Sequence, residues 1–348
     1  MVGARWAALL VVAAIAAGAA GCGSSEDGTD IEKIAFVSPG EDNEADWTLQ
    51  ARAIVEEFPK AFGIRVDTID ASQTDDLRGA FEQVANEGNQ LVIAHDSRYA
   101  DTAAQVAEET GVATLVWGER PDEDAPVAGI TVQAKEGGYM AGIIAAKAAV
   151  TRRLGILVVA DGSDWDLETW NRTAGGFVAG ARSADPDVTI TYGQVGSGGE
   201  ASVDEVHDAA MRLIDGGAQM MFALGGRSTV GALRAIEEIS GESQFVGVVG
   251  DKAAFNRENY VLTSVMWDTR PVFRQAVRDV RAGTFGDRPY ELTLRNRGTW
   301  LLNTGRTPAD AYEAALAAQE RMESGTLDVP ITPTSEAVEQ LLAGGGQG

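Results

Sequence analysis

The sequence predicts an α/β protein of two lobes, each built on a mainly parallel sheet. Three observations carry this. Strand-period and helix-period runs alternate along the chain, the signature of βαβ units. They do so in two successive series, separated by an unusually apolar helical segment, Ala134–Val150. The length, 348 residues with 45% hydrophobic, suffices for two cores of ordinary size.

The elements follow in order. Lys33–Val37 has a buried-strand pattern, and Trp47–Phe58 a helical one that Pro59 stops. Ile64–Ile69 alternates as a strand, and Asp75–Glu87 carries Leu77, Phe81 and Val84 at helical spacing. Leu91–Ala94 is a short strand, Thr102–Thr110 a helix, and Ala113–Trp117 and Val127–Thr131 are strands. Ala134–Val150 is rich in small residues that allow close packing. With Lys135 and Lys147 inside it, it is too short and too charged for a membrane span and reads as a buried core helix. The second series runs strand Leu154–Ala160, helix Leu167–Ala184, strand Val188–Val195, helix Val203–Asp215 and strand Met220–Leu224. Helix Thr229–Ile239 and strands Gln244–Val249 and Tyr260–Met266 complete it. Beyond lie helix Pro271–Ala282, strand Tyr290–Leu294 and helix Ala309–Met322, with Leu341–Gly348 expected to fray.

The N-terminus is set apart from these. Arg5 precedes an uncharged apolar run, Trp6–Ala20, of signal-peptide character. Ala19-Ala20-Gly21-Cys22 is similar to a bacterial lipobox, which makes residues 1–21 a lipoprotein signal peptide and Cys22 the lipidated residue, and anchors the protein to the cell membrane. The alternative is an ordinary cleaved signal with an incidental cysteine. Residues 22–31 are small and polar, a flexible tether.

Composition narrows the function. A formal net charge of -24 argues against nucleic acid, whose phosphates need cationic partners, and suits either a solvated acidic surface or a cation-attracting site. One cysteine cannot form an internal disulfide, and with two histidines a zinc site or hydrolase triad has few ingredients. No P-loop, CxxC, HExxH or GxSxG is present, and Gly196-Ser197-Gly198-Gly199 lacks the spaced third glycine of a dinucleotide loop and reads as a turn. No cofactor, no metal and no catalytic residue is expected.

Candidate ligand-binding residues sit where strands end, because ligands of open α/β sheets bind beyond the carboxyl ends of strands. After the first strand, Asp46, Trp47 and Thr48 offer an aromatic face and a helix N-terminus, or else a cap and core packing. After the third, Ser97 and Tyr99 could bond a ring edge; His95 beside them reads as structural. Trp165 or Trp170 could form the opposite aromatic face, with Arg172 pairing to a ligand carbonyl, nitrogen or carboxylate. Gly225 and Gly226 would admit close backbone approach, or form a plain turn. Val246–Trp267 brings an acid, Asp251, and an indole, Trp267, to the same edge; Asp251 would take hydroxyls or an amine, or else cap its own turn.

Glu136-Gly137-Gly138-Tyr139-Met140-Ala141-Gly142 resembles an E-G-x-Y-L-A-G helix start, and Val261-Leu262-Thr263-Ser264-Val265 a V-L-T-S-V strand. With Asn86-Glu87-Gly88, Leu224-Gly225-Gly226, Val246-Gly247 and Asp251, these resemble the basic membrane protein (BMP) family of bacterial surface lipoproteins, purine-nucleoside-receptor-like, over Lys33 to about Pro330. The resemblance implies the type I periplasmic-binding-protein-like fold, two Rossmann-like lobes with parallel sheets joined by hinge strands. It implies 32–132 plus 257–288 as the N-terminal lobe and 133–256 plus 289–340 as the C-terminal lobe, with hinges near Ile130–Gln133, Gly250–Asn256 and Gly286–Leu292. The function implied is an extracytoplasmic, monomeric solute-binding protein, not an enzyme. It would pass a purine nucleoside or base to the permease and ATPase subunits of an ABC importer. The chain departs from the family at two positions: Val249 stands where V-D-x-D would put an acid, and Trp267 where relatives carry Lys. A subgroup proposed to bind purine bases is similar in carrying Trp at the positions of Trp47 and Trp267. The alternatives are a ligand-sensing or signalling receptor of the same fold, binding another ring compound or a sugar, and an enzyme using Asp46 and Asp251.

Overall fold

A computed structural model describes residues 30–40, 45–119, 126–160, 162–196, 201–239, 243–255 and 260–344. Residues 1–21, expected as a signal peptide, Cys22 and almost all of the expected tether lie outside these, as do the side chain of Asp46 and residues 197–199. The first series comprises β1 (Lys33–Ser38), α1 (Ala45–Glu56), α2 (Phe58–Phe62), β2 (Arg65–Asp70), α3 (Leu77–Asn86), β3 (Leu91–Ala94), α4 (Ala100–Thr110), β4 (Ala113–Trp117) and β5 (Val127–Val132). The second comprises α5 (Ala134–Ala148), β6 (Arg153–Val159), α6 (Asp164–Ala184), β7 (Thr189–Val195), α7 (Val203–Asp215), β8 (Met220–Leu224), α8 (Val230–Glu238), β9 (Gln244–Val249) and β10 (Val261–Trp267). The chain then runs α9 (Arg270–Ala282), β11 (Tyr290–Leu292), β12 (Thr299–Leu301), α10 (Ala309–Glu323) and α11 (Ser335–Gly344).

Two six-stranded sheets result, ordered β11-β5-β4-β3-β1-β2 and β12-β10-β9-β8-β6-β7. Pairing is parallel throughout except for β10 with β12. The central strands are buried on both faces, as their unbroken apolar runs require. The expected two-lobed α/β architecture is therefore present, but its strands are shared differently. β10 belongs to the second sheet, although 257–288 was expected in the first lobe. β11 belongs to the first, although 289–340 was expected in the second. The chain thus passes between sheets at Gln133, at Asp268–Thr269 and at Thr293–Gly298. Of the expected hinges, Ile130–Gln133 contains a crossover. Gly250–Asn256 joins two strands of one sheet, and Gly286–Leu292 leads into and forms β11 just ahead of the third crossover. A short parallel strand cannot be assigned to a sheet by its own pattern, because both sheets demand the same one.

The tightest helix contact is between α5 and α6. A Cβ on Gly138 or Gly142 would collide with the Thr173 or Phe177 carbonyl, and one on Gly176 or Gly180 with the Lys135 or Tyr139 carbonyl. Two glycines four apart on each helix let the backbones touch over one turn. This packing fixes α6, whose N-terminal end faces the space between the lobes.

Candidate functional site

In the first sheet β1, β3 and β4 run parallel, with Val37 opposite Ala94 and Ala94 opposite Val116. Their carboxyl ends therefore share one edge, and the residues just beyond them are Trp47 at the start of α1, His95, and Trp117 itself. In the second sheet Trp267 closes β10, and Trp165 and Trp170 lie in the first two turns of α6, after β6. The two edges face each other, and five of the seven tryptophans form one aromatic cluster across the gap. Trp47 lies 4.1 Å from His95 and 5.3 Å from Trp117, centroid to centroid. Trp117 reaches across to Trp165 at 6.0 Å and to Trp267 at 6.5 Å, the latter pair 26° from parallel. Trp267 stacks on Trp170 at 5.3 Å and 8°.

His95 is fully buried among Trp47, Trp117, Phe36 and Phe273. Trp117 Nε1 donates to its Nδ1 at 3.1 Å. Burial pushes the imidazole down to about 3, against the raising effect of a hydrogen bond with the Trp47 main chain, so the ring is neutral at physiological pH. Around the cluster, Nε1 of Trp47, Trp170 and Trp267, Nε2 of His95, and the hydroxyls of Thr48 and Thr269 are buried without a hydrogen-bond partner in good geometry. Buried polar atoms are normally paired, so such a concentration in one place is uncommon.

The lobes also meet through polar groups. Ser97 donates to Asp166 Oδ2 at 2.5 Å, and Ser163 Oγ lies 3.1 Å from Ser97 Oγ. Ser163 and Asp166 form the capping box of α6, so one carboxylate both caps the helix and receives the opposite lobe. Burial raises the Asp166 carboxyl above its ordinary range, against the lowering effect of the serine hydrogen bonds.

Of the residues singled out in the sequence, Trp47, Thr48, Ser97, Trp170 and Trp267 lie at this interlobe contact. The others have local partners. Tyr99 packs edge-on to Phe81, at 6.0 Å, in the helical layer of the first lobe, where burial pushes its hydroxyl up to about 12. Arg172 pairs with Glu168 one turn earlier on α6, its Nε buried and unpartnered. Gly225 is buried at the end of β8 with φ of 149°, and the Gly226 carbonyl accepts from Thr229. Asp251 Oδ1 accepts from Ala254 N at 3.2 Å, the geometry of a turn cap. Val249, just before it, holds φ of 72°, a conformation that costs a β-branched residue about 1–3 kcal/mol.

Trp117, His95, Asp166 and Ser163 escaped selection, and Trp165 was only an alternative to Trp170. Trp117 ends a strand just as Trp267 does; the strand-end rule finds it, but its apolar neighbours make it look like core. A separate cavity of about 610 Å³ lies at the crossovers, lined by Gln133, Glu136, Glu291, Thr293, Leu294 and Arg295 among others, and shares no residue with the cluster. Among the described residues no group of three or more His, Cys, Asp or Glu could hold a metal ion.

The comparison that decides kinship is with the family of PnrA-like ABC transporter substrate-binding proteins, Bmp, whose model matches residues 31–286. The chain belongs to the Bmp family. It is 24% identical over 251 residues to basic membrane protein A of Borreliella burgdorferi, covering 71% of each chain. It is 22% identical over 276 residues to the ABC transporter nucleoside-binding protein BmpA of Lactococcus lactis, covering 75% and 76%. Among solved structures, an ABC transporter solute-binding protein from Conexibacter woesei matches with a TM-score of 0.68 and 25% identity, over 86% of this chain and 99% of that one. One from Aeropyrum pernix matches with a TM-score of 0.72 and 14% identity, over 90% and 98%. The chain is thus a substrate-binding protein of an ABC transporter, with the type I periplasmic-binding fold and no enzymatic role. Its partners are a small-molecule ligand and the transporter's permease and ATPase subunits, and its place is outside the cytoplasm.

Proposed function

We propose that the protein captures a purine nucleoside or purine base between its lobes, while held as a monomer to the cell membrane through lipidated Cys22, and delivers it to its importer. The observation that carries this reading is the cluster of five tryptophans drawn from both lobes around a neutral histidine. Indole faces stack on purines, worth on the order of 1–3 kcal/mol per base. The nucleoside-binding relative from Lactococcus lactis supports the same ligand class.

A thermal-shift panel of nucleosides, bases, sugars and amino acids tests it. Ligand at roughly 100 times Kd adds about 2.7 kcal/mol of stability. Purines are expected to raise the melting temperature; a panel in which only sugars do so contradicts the reading and favours the sugar-sensing alternative. For the anchor, Cys22→Ser is expected to release the protein from cells into the medium, and continued membrane retention would contradict lipidation at that residue.

A further inference from the structure

Ser97 and Ser163 come from opposite lobes and converge on one oxygen, Asp166 Oδ2. Ser97 Oγ donates to it at 2.5 Å, Ser163 Oγ at 2.7 Å and Ser163 N at 2.8 Å. The Ser163 bonds are local to the start of α6, where they form its capping box, and do not depend on the other lobe. The Ser97 bond exists only while the lobes touch. That approach also carries a cost. It buries the carboxylate and brings it into the field of Asp96, which precedes Ser97 and is itself buried. Arg98 pairs with Asp96 at 2.7 Å and offsets part of that field. Among the described residues, the elements that meet here also carry Asp164 and the Glu168–Arg172 pair on α6, and Glu119 just past β4, next to Gly118, which packs against Trp165. His95, two residues before Ser97, is buried and neutral.

From this geometry we infer that the Ser97–Asp166 contact is a proton-responsive latch, in which a proton taken up by Asp166 favours the joined lobes and its release favours parted ones. A proton on Oδ1 leaves Oδ2 able to accept all three bonds, so acid removes the cost of burying a charge and keeps the contact. In the joined form burial, and with it Asp96, raises the carboxyl above its ordinary 3.8 against the lowering effect of the serines. Parting the lobes removes the burial, Asp96 and Ser97 but leaves Ser163, so the carboxyl returns toward its ordinary value or below it. The joined form therefore holds the proton more tightly. Each pH unit of that difference shifts the ratio of joined to parted molecules about tenfold, and by reciprocity a ligand held between joined lobes binds more tightly in acid.

Small-angle scattering without ligand tests this on the chain from Gly23 onward, which holds every described residue. The natural protein and Asp166→Asn are compared in steps from neutral pH down to 3.8, with circular dichroism at each step to show that the fold persists. Asn keeps an acceptor oxygen and carries no charge, so it mimics the protonated latch, while the general loss of negative charge in acid is common to both proteins. The natural protein is expected to have the larger radius of gyration at neutral pH, and the difference to close as pH falls. A natural protein no larger than the variant at neutral pH, or a difference that stays constant into acid, overturns the inference. Should the variant fail to fold, carbon-13 titration of the Asp166 carboxyl in the natural protein replaces it. The radius is expected to fall around the Asp166 midpoint, above 3.8; a midpoint at or below that value, or a radius that does not follow it, overturns the inference. No ligand enters either measurement, so failure here leaves the purine reading standing.

Discussion

At the residue scale the fully buried His95 carries a pH-dependent liability. Its folded-state affinity for protons is depressed from the ordinary 6.5 to about 3, with burial the main cause. Between those values the unfolded chain binds a proton that the folded one refuses, so this residue's contribution is full above pH 6.5 and is lost as pH falls. The loss is up to about 1.4 kcal/mol per pH unit. Urea melts across that range are expected to show a steeper acid-side decline for the natural protein than for His95→Phe; parallel curves would contradict the neutral assignment. Trp47, Trp170 and Trp267 stand at strand ends or helix starts, where the sequence offers either a site or core packing, and the fold brings them together at the interlobe contact. Asp251 and Tyr99 satisfied the same rule and are tied to a turn and a helical layer. A strand-end position fixes an edge of the sheet, and the loop's own hydrogen bonds decide where a polar side chain turns.

At the element scale the α5–α6 crossing sets the position of Trp165, Trp170 and Asp166. Gly138→Ala and Gly142→Ala would each place a methyl against a backbone carbonyl of α6. Each is expected to cost about 1–3 kcal/mol, and Gly344→Ala, where a Cβ meets nothing within 4 Å and φ is not positive, is the control for a generic glycine effect. Ala134–Val150 was legible as a packed helix from its small residues. Pro59 misled: it reads as a stop, yet it stands at the start of α2, where its missing N–H costs nothing. β12 was not legible, since three residues carry no period and its pairing with β10 is set by the fold. α11 was missed as well; its one fully buried apolar side chain is Val338.

At the scale of the whole molecule, the described residues of the two lobes meet through an aromatic stack and a small polar latch. Ser97→Ala removes the hydroxyl that Asp166 receives across the gap. It is expected to leave melting within about 1 kcal/mol of the natural protein while enlarging the radius of gyration seen by small-angle scattering without ligand. An unchanged radius would mean that the latch does not hold the lobes together. The two-lobed plan was readable because two series of alternating periods cannot share one core. The crossovers were not, because the strand that changes lobes looks like every other buried strand.

The most direct measurement of the central claim, that an interlobe tryptophan cluster holds the ligand, is a binding titration with the purine that most raises the melting temperature. It compares the natural protein with Trp47→Ala, in the cluster, and Trp300→Ala, which is 37% exposed outside it. The expected result is a loss of about 1–3 kcal/mol of binding free energy for Trp47→Ala and none for Trp300→Ala. A folded Trp47→Ala variant that binds the purine as tightly as the natural protein would contradict the claim.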